Sequence, residues 1–533
     1  MKKINQYKLL AGICLLSFLT ACDYERINTN PFEMTEEEGL MDGFAVGGLV
    51  TAMEQTVFPV GTQADDTDII NQYQTDYHLS ADCWSGFFGQ NNSTSWNSGR
   101  NNTTYFLIDG WIAGTYTRSY TNAFNSWKKL KVFSEKNDAP EIYALAQVLK
   151  ISAWHKTLEC FGPMPYTHAA DPTMNIPFDS EKAVYTAMFQ DLTDAIDVLT
   201  EKAVNGIKVM EEYDAVYAGD TRKWVKYANS LMLRLAIRVR FADEEMAKKY
   251  AIQAVGHSIG VMTARDDEAQ MSAGAGITFR NNIEWLSETY EESRMGSSIF
   301  SYLMGYADPR LGAYFKPVDA ASTAGQVAYD GKKYQAVPAG HTFAPNDVYK
   351  LFSKPKIESN TPTYWLRASE VYFLRAEALY KQGIEMSFQE NGVTTSVDAY
   401  MNSGKAPMKH EFTGSYACSF PAPSTATAKF EGSTEQKLEK IIIQKWIALF
   451  PNGQEAWTEW RRTGYPKLNP VMVNNGSSQG ATKESGVRRM IYPTSFYQTE
   501  EGQAIYNAAL LLLNNGQGGE DKSSTRLWWD CKR

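Results

Sequence analysis

The chain has 533 residues, enough on length for more than one domain, and 43% of them are hydrophobic, which supports a large buried core. It carries 61 acidic and 52 basic side chains, a formal net charge of -9, and so acidic a chain argues against nucleic acid as a partner, because phosphate binding needs clustered Lys and Arg. Beyond the amino terminus, no segment is apolar enough to span a bilayer.

The first element is an apolar run from Leu9 to Ala21 behind Lys2, Lys3 and Lys8. About thirteen apolar residues are too few for a bilayer core that needs roughly twenty. A basic head, a short apolar centre and small residues at its end are the marks of a secretory signal. The tetrad Leu19-Thr20-Ala21-Cys22 resembles a bacterial lipobox, in which the cysteine is acylated and becomes the new amino terminus. Each buried methylene of an acyl chain contributes about 0.8 kcal/mol, so two or three chains would anchor a soluble body at Cys22. The expected organisation is a signal peptide over 1–21, a lipidated tether over 22–45 and a ligand-binding domain over 46–533. Asp23 and Glu25 leave the choice of membrane open, since an acid after the cysteine can mark inner-membrane retention or surface export.

Cys83, Cys160, Cys418 and Cys531 follow at wide, irregular spacing without a C-x-x-C, which suits neither a zinc site nor a disulfide-dense scaffold. Free or singly paired cysteines are expected. Aromatic residues make up 13% of the chain, and some fall outside any helical pattern. The stretch "SGFFGQNNSTSWNSGRNNTTYF" sets Trp96 among Asn, Ser, Gly and Thr, with Trp84, Phe87 and Phe88 before it and Tyr105 after it. Flat rings stack on the apolar faces of a sugar or peptide while amides satisfy its polar groups. Trp84, Trp96 and Tyr105, with Asn91, Asn92 and Arg100 as polar partners, are therefore the first candidate ligand site. The stretch "NNIEWLSETYEESR" supplies a second, with Trp285, Tyr290 and Arg294, although core packing suits Trp285 better.

Between these candidates the spacing predicts helices. "EIYALAQVLKISAWHKTLECFG" places Ile142, Leu145, Ala146 and Leu149 on one face and stops at "GPMP". "FDSEKAVYTAMFQDLTDAIDVL" opens with Asp179 as the expected N-cap. "TRKWVKYANSLMLRLAIRVR" puts Trp224, Ala228, Leu231 and Leu235 together, with Arg234 and Arg238 expected to pair with acids. "WLRASEVYFLRAEALYKQG" is apolar nearly all round and reads as one buried helix. "STEQKLEKIIIQKWIALF" starts with a Ser433/Gln436 capping box, and "QEAWTEWRRTGYP" ends with Gly464 suited to the C′ position. Regions near 61–104, 316–348 and 386–433 read as long irregular loops, where ligand sites concentrate. The fold class is all-α, a superhelix of paired helices with long loops.

No catalytic signature stands out. "GSSQG" at 476–480 matches G-x-S-x-G formally but lacks the strand and helix of a nucleophile elbow. His155 and Glu159 lie four apart without an H-E-x-x-H motif. No metal site and no cofactor is expected, and no recognisable calcium loop is present.

In chain order, "RINTNPFEMT", "WHKTLECFGPMPYTHA", "FDSEKAVY", "GDTRKWVKYANSLMLRLAIRVR", "DPRLGAYF", "ASEVYFLRAEALYKQG", "QKWIALFPNGQEAWTEWRRTGYP", "RRMIYP" and "TRLWWD" resemble landmarks of the SusD/RagB family of Bacteroidetes outer-membrane lipoproteins. The resemblance runs from about residue 26 to the end, with one departure: Cys160 and Pro163 stand in "CFGPMPY" where many relatives carry aspartates. It implies tetratricopeptide-like helix pairs and a surface lipoprotein that binds a nutrient without altering it. It also implies delivery of that nutrient, an oligosaccharide or a peptide, to a SusC-like TonB-dependent transporter. On this reading Cys22 anchors the protein in the outer membrane, and Asp23 and Glu25 belong to a surface-export signal. A surface glycoside hydrolase or peptidase, and a purely structural helical adaptor, are the alternatives.

Overall fold

The computed structural model describes residues 44–60, 68–90, 96–173, 175–318, 327–341, 351–375, 379–413 and 417–532. Cys22, Asn91 and Asn92 lie outside the described residues. Leu49–Arg533 form one compact unit, and of the preceding unit, Met1–Gly48, only residues 44–48 are described.

Helices dominate. The long ones are α1 (Asn122–Asn137), α2 (Pro140–Phe161), α3 (Glu181–Val204), α4 (Thr221–Arg238) and α5 (Glu244–Gly256), each packed on the next. A second group comprises α6 (Ala368–Leu374), α7 (Tyr380–Glu390), α8 (Thr434–Ala448) and α9 (Gly453–Thr463), joined to the first where α4 meets α6. The last helix, α10 (Glu500–Gly516), packs on α3. No described helix is long and apolar enough to cross a membrane. The strands among the described residues form two-stranded antiparallel ribbons.

Local chemistry explains most helix ends. Ser433 and Gln436 form the expected capping box, and Gly464 takes the left-handed conformation (φ 76°) that closes α9. Gly162 ends α2. The start of α3 differs from expectation by one residue: Ser180 caps it by accepting the Ala183 N–H at 3.3 Å. Asp179 instead accepts N–H groups from Tyr166 (2.9 Å) and Thr167 (2.7 Å), pinning the turn after "GPMP".

Two expectations are corrected. Residues 363–366 form a strand that pairs with Ala269–Met271, so the helix expected over "WLRASEVYFLRAEALYKQG" begins only at Ala368. The region near 61–104 contains a helix, Asp68–Tyr73, continued by a π-helix from Gln74 to Asp82. π-winding breaks the 3.6-residue period, and the buried polar groups of this segment hide it further. Asp76 is held by Arg118, His78 lies 3.0 Å from Asp82, and Asn102 donates to Ser80 at 2.7 Å.

The core is aromatic and, at its centre, ionic. Trp154, Trp224, Trp365, Trp446, Trp457 and Trp529 are fully buried, which accounts for much of the aromatic excess. Where the two helix groups meet, Arg238 of α4 donates to Glu159 (3.0 Å) and to both carboxylate oxygens of Glu455 (2.6 and 2.7 Å), and it pairs with Glu459. Arg234 makes a two-pronged pair with Glu370 at 2.8 and 2.6 Å. Lys445 and Arg462 reach Glu459 at 3.2 and 2.7 Å. These four cations and four carboxylates join α2, α4, α6, α8 and α9. The expectation that Arg234 and Arg238 pair with acids holds, and His155 and Glu159 are part of the same buried network, 3.3 Å apart.

Candidate functional site

The aromatic stretch folds into a tight turn whose own amides build it. Asn97, Ser98 and Gly99 are successively left-handed (φ 48°, 53° and 81°), a conformation costly for two residues with side chains. The amide of Asn97 donates to the Arg100 carbonyl at 2.8 Å, and Thr104 Oγ1 and Asn475 Nδ2 both donate to the Gly99 carbonyl, at 2.7 and 2.9 Å. Asn101 is buried; its Oδ1 accepts from the Thr103 N–H (3.0 Å) and its Nδ2 donates to the Trp96 carbonyl (3.1 Å). Asn102, also buried, accepts from the Ile108 N–H at 3.0 Å. These amides hold the turn in shape rather than face outward.

The "GSSQG" loop has a related task. Gln479 accepts the Leu107 N–H (2.7 Å) and donates to the Leu107 carbonyl (2.9 Å), while the Asn475 N–H donates to the Thr104 carbonyl at 2.8 Å. Ser478 is exposed on a short 3-10 turn, without the strand and helix of a nucleophile elbow.

This scaffold presents Trp96 half-exposed, edge-on to Trp111, with ring centres 6.4 Å apart at 78°. Exposed Arg100 lies over the Phe106 ring at 4.5 Å. Trp84 is placed otherwise. It is buried, 4.9 Å from Trp457, and its indole N–H donates to the Asn102 carbonyl at 2.8 Å. Tyr105 is half-buried, and burial pushes its phenol well above the usual value. Trp84 and Tyr105 line a cavity of about 570 Å³, which they share with Trp460, Lys467, Lys483 and Arg526. That volume suits a small ligand, whereas the crevice around Phe58 and Trp365 holds about 40 Å³.

The second candidate segment meets the first through backbone. Phe88–Gln90 pairs with Ser293–Met295, setting Gly89 opposite Arg294. Its side chains serve the interior more than the surface. Trp285 is buried beneath Arg280, whose guanidinium lies 4.1 Å from the ring centre, and Arg294 is buried and donates to the Ser293 carbonyl at 2.8 Å. Tyr290 is half-buried, with its hydroxyl 3.2 Å from Asn71 Oδ1.

One buried group has the order of a hydrolytic triad. His78 lies 3.0 Å from Asp82 through Nδ1 and 3.0 Å from Ser293 Oγ through Nε2. Ser293 and His78 have no solvent exposure, and Asp82 is further held by Tyr73 (2.9 Å) and the Gly453 N–H (3.1 Å). A nucleophile must reach its substrate, so this network reads as a tie between the π-helix and the ribbon. No group of three metal-ligating side chains occurs among the described residues, where Cys83, Cys160, Cys418 and Cys531 are free thiols.

Against known proteins, residues 26–530 match the model of the SusD-like family, "Susd and RagB outer membrane lipoprotein". The chain belongs to the SusD-like family. A chitin-binding SusD homologue from Flavobacterium johnsoniae is 30% identical, with TM-score 0.81 over 92% of this chain and 99% of that one. A SusD homologue from Bacteroides uniformis is 30% identical (TM-score 0.80, 92% and 100% covered), and one from Bacteroides thetaiotaomicron also 30% (0.79, 92% and 99%). No curated protein matches. The expected all-α SusD-like fold is thereby shown.

The sequence did not single out Trp111, which lies edge-on to Trp96, or Trp460, which lines the cavity. Trp111 sits in the first turn of the helix Asp109–Tyr116, between the apolar residues Phe106 to Ile108 and Ile112, a setting that reads as core. Trp460 shares α9 with buried Trp457, Arg461 and Arg462, so its face was read as structural along with theirs. The three-residue step from Trp457 to Trp460 puts both rings on one side of α9 and so argued for burial of both.

Proposed function

We propose that this protein is a surface lipoprotein, tethered through Cys22 to the outer membrane, that binds an oligosaccharide and hands it unaltered to a SusC-like TonB-dependent transporter. The carrying observation is the braced turn that presents Trp96 edge-on to Trp111 of the following helix, with exposed Arg100 on the same turn. A rigid aromatic platform loses little entropy when a sugar face settles on it. The chitin-binding relative supports a saccharide over a peptide as ligand. Trp84 and Tyr105 on the cavity wall, half-buried Tyr290, and Asn91 and Asn92 complete the proposed ligand-binding set, whereas buried Trp285 and Arg294 would support it without touching ligand.

Trp96→Ala tests the reading. Calorimetry with the saccharide that binds the native protein should show at least about a tenfold loss of affinity, with a melting temperature lowered by less than about 2 °C. Unchanged affinity would remove the turn as the site. Radiolabelled palmitate should enter the native protein and not Cys22→Ala. Turnover of a glycan or peptide library by purified protein would instead support a surface hydrolase.

A further inference from the structure

The cavity beside the turn differs in charge from the chain as a whole. Acids outnumber bases in the sequence, 61 to 52, yet the charged side chains on the cavity wall are Lys467, Lys483, Arg488 and Arg526 against one acid, Glu484. Asp530 partly offsets this excess: Arg488 Nε donates to it at 2.7 Å and Arg526 Nη1 at 3.1 Å, so one carboxylate serves two guanidinium groups. Burial raises the Asp530 carboxyl above its usual range, while the two arginines act the other way.

The two lysines are satisfied by neutral groups. Lys467 sits 4.9 Å from the centre of the Tyr465 ring, and Lys483 donates to the Met472 carbonyl at 2.6 Å. Glu435 feels the Lys467 charge at longer range, but its own short contacts go to Lys532 (2.6 Å) and the Tyr465 hydroxyl (2.8 Å). Both lysines and Arg526 are exposed; Arg526 shares Asp530 with Arg488, whereas the close contacts of the two lysines are with neutral groups. Half-buried Trp460 and Tyr105 provide flat apolar wall between them.

We propose that this cavity binds the anionic group, carboxylate or sulfate, of an acidic oligosaccharide. Lys467, Lys483 and Arg526 would face the charge, and Trp460 and Tyr105 would face the sugar rings. The inference rests on the saccharide-binding reading above and names the substrate class of the same region. Glu484, the opposing charge on the rim, sets a limit on how much negative charge the cavity accepts.

Calorimetry on the full mature chain with matched pairs decides it: oligogalacturonate against its methyl ester, and a sulfated galactan oligosaccharide against its desulfated form. The acidic member of at least one pair should bind about tenfold more tightly than its neutral partner, with an advantage that shrinks as sodium chloride screens the charges. Which pair responds distinguishes carboxylate from sulfate. The double variant Lys467→Gln/Lys483→Gln should erase the advantage of the acidic member, while Glu484→Gln should enlarge it. All three positions are exposed, and circular dichroism checks that the variants fold. Equal affinity within both pairs, or an advantage that survives the double lysine variant, overturns the proposal. Neutral saccharide binding that depends on Trp96, with no acidic preference, leaves the nutrient-binding reading standing and removes only this inference. No binding of any saccharide removes both.

Discussion

Gly476 has no room for a side chain: a Cβ built there would sit 1.9 Å from the Tyr105 carbonyl oxygen. Gly476→Ala must therefore push the "GSSQG" loop away from the turn that it braces. The expected cost is about 1–3 kcal/mol by urea denaturation, in the range of other overpacking changes, together with weaker ligand binding because Trp96 loses its support. A binding defect without loss of stability would instead mean that Gly476 acts on ligand directly. The surface placement of Trp96 and Arg100 was legible because a large ring and a cation in a polar, glycine-containing run have no core to enter. Trp84 was not legible in the same way. The polar run beside it looked like a solvated loop, yet Asn102 turns inward and accepts the indole N–H, which buries the ring.

The helices were readable where the ends carry capping chemistry, as in α8 with its Ser433/Gln436 box and α9 with Gly464, although α9 and the second half of α8 are buried on nearly every side. The segment 68–82 was not, because many of its buried side chains are polar and partners 22 to 371 residues away, in contact only after folding, satisfy them. The ionic centre tests how such partnerships hold elements together. Arg238→Met leaves Glu159, Glu455 and Glu459 without their shared cation inside the core, and removing one side of a buried ion network costs about 3–5 kcal/mol. Chemical denaturation of this variant should show that loss. Breaking the surface pair Lys131–Glu135, whose members are largely solvated, should leave the midpoint almost unchanged. If Arg238→Met were neutral, the network would not be what joins the two helix groups.

For the whole molecule, buried titratable groups set opposing limits on stability. Burial raises the Glu181 carboxyl to about 8, against the opposing N–H of Trp528 at 3.1 Å. A folded pKa above the unfolded value of about 4.5 means that the folded state binds the extra proton. This stabilising contribution is fully present below about pH 4.5 and is lost as pH rises through about 8. Burial lowers the His410 imidazole to about 4, so its contribution is present above about pH 6.5 and is lost as pH falls through about 4. Melting temperature against pH should therefore fall less steeply between pH 5 and 8 in Glu181→Gln, and less steeply between pH 6.5 and 4 in His410→Gln. Unaltered slopes would mean that neither group titrates inside the fold.

By itself the sequence determined an acidic, helical chain with a signal-like amino terminus, aromatic candidates outside the helical pattern, and the family landmarks that the match over 26–530 then established. Those features are local, written in composition, spacing and caps. Only the tertiary structure decided which aromatics remain at the surface, that the two candidate segments meet as a ribbon at Gly89 and Arg294, and that the cations of 467–488 join Arg526 on one cavity wall. Burial and charge excess depend on neighbours remote in sequence, and no local pattern encodes which remote side chains a fold will bring together.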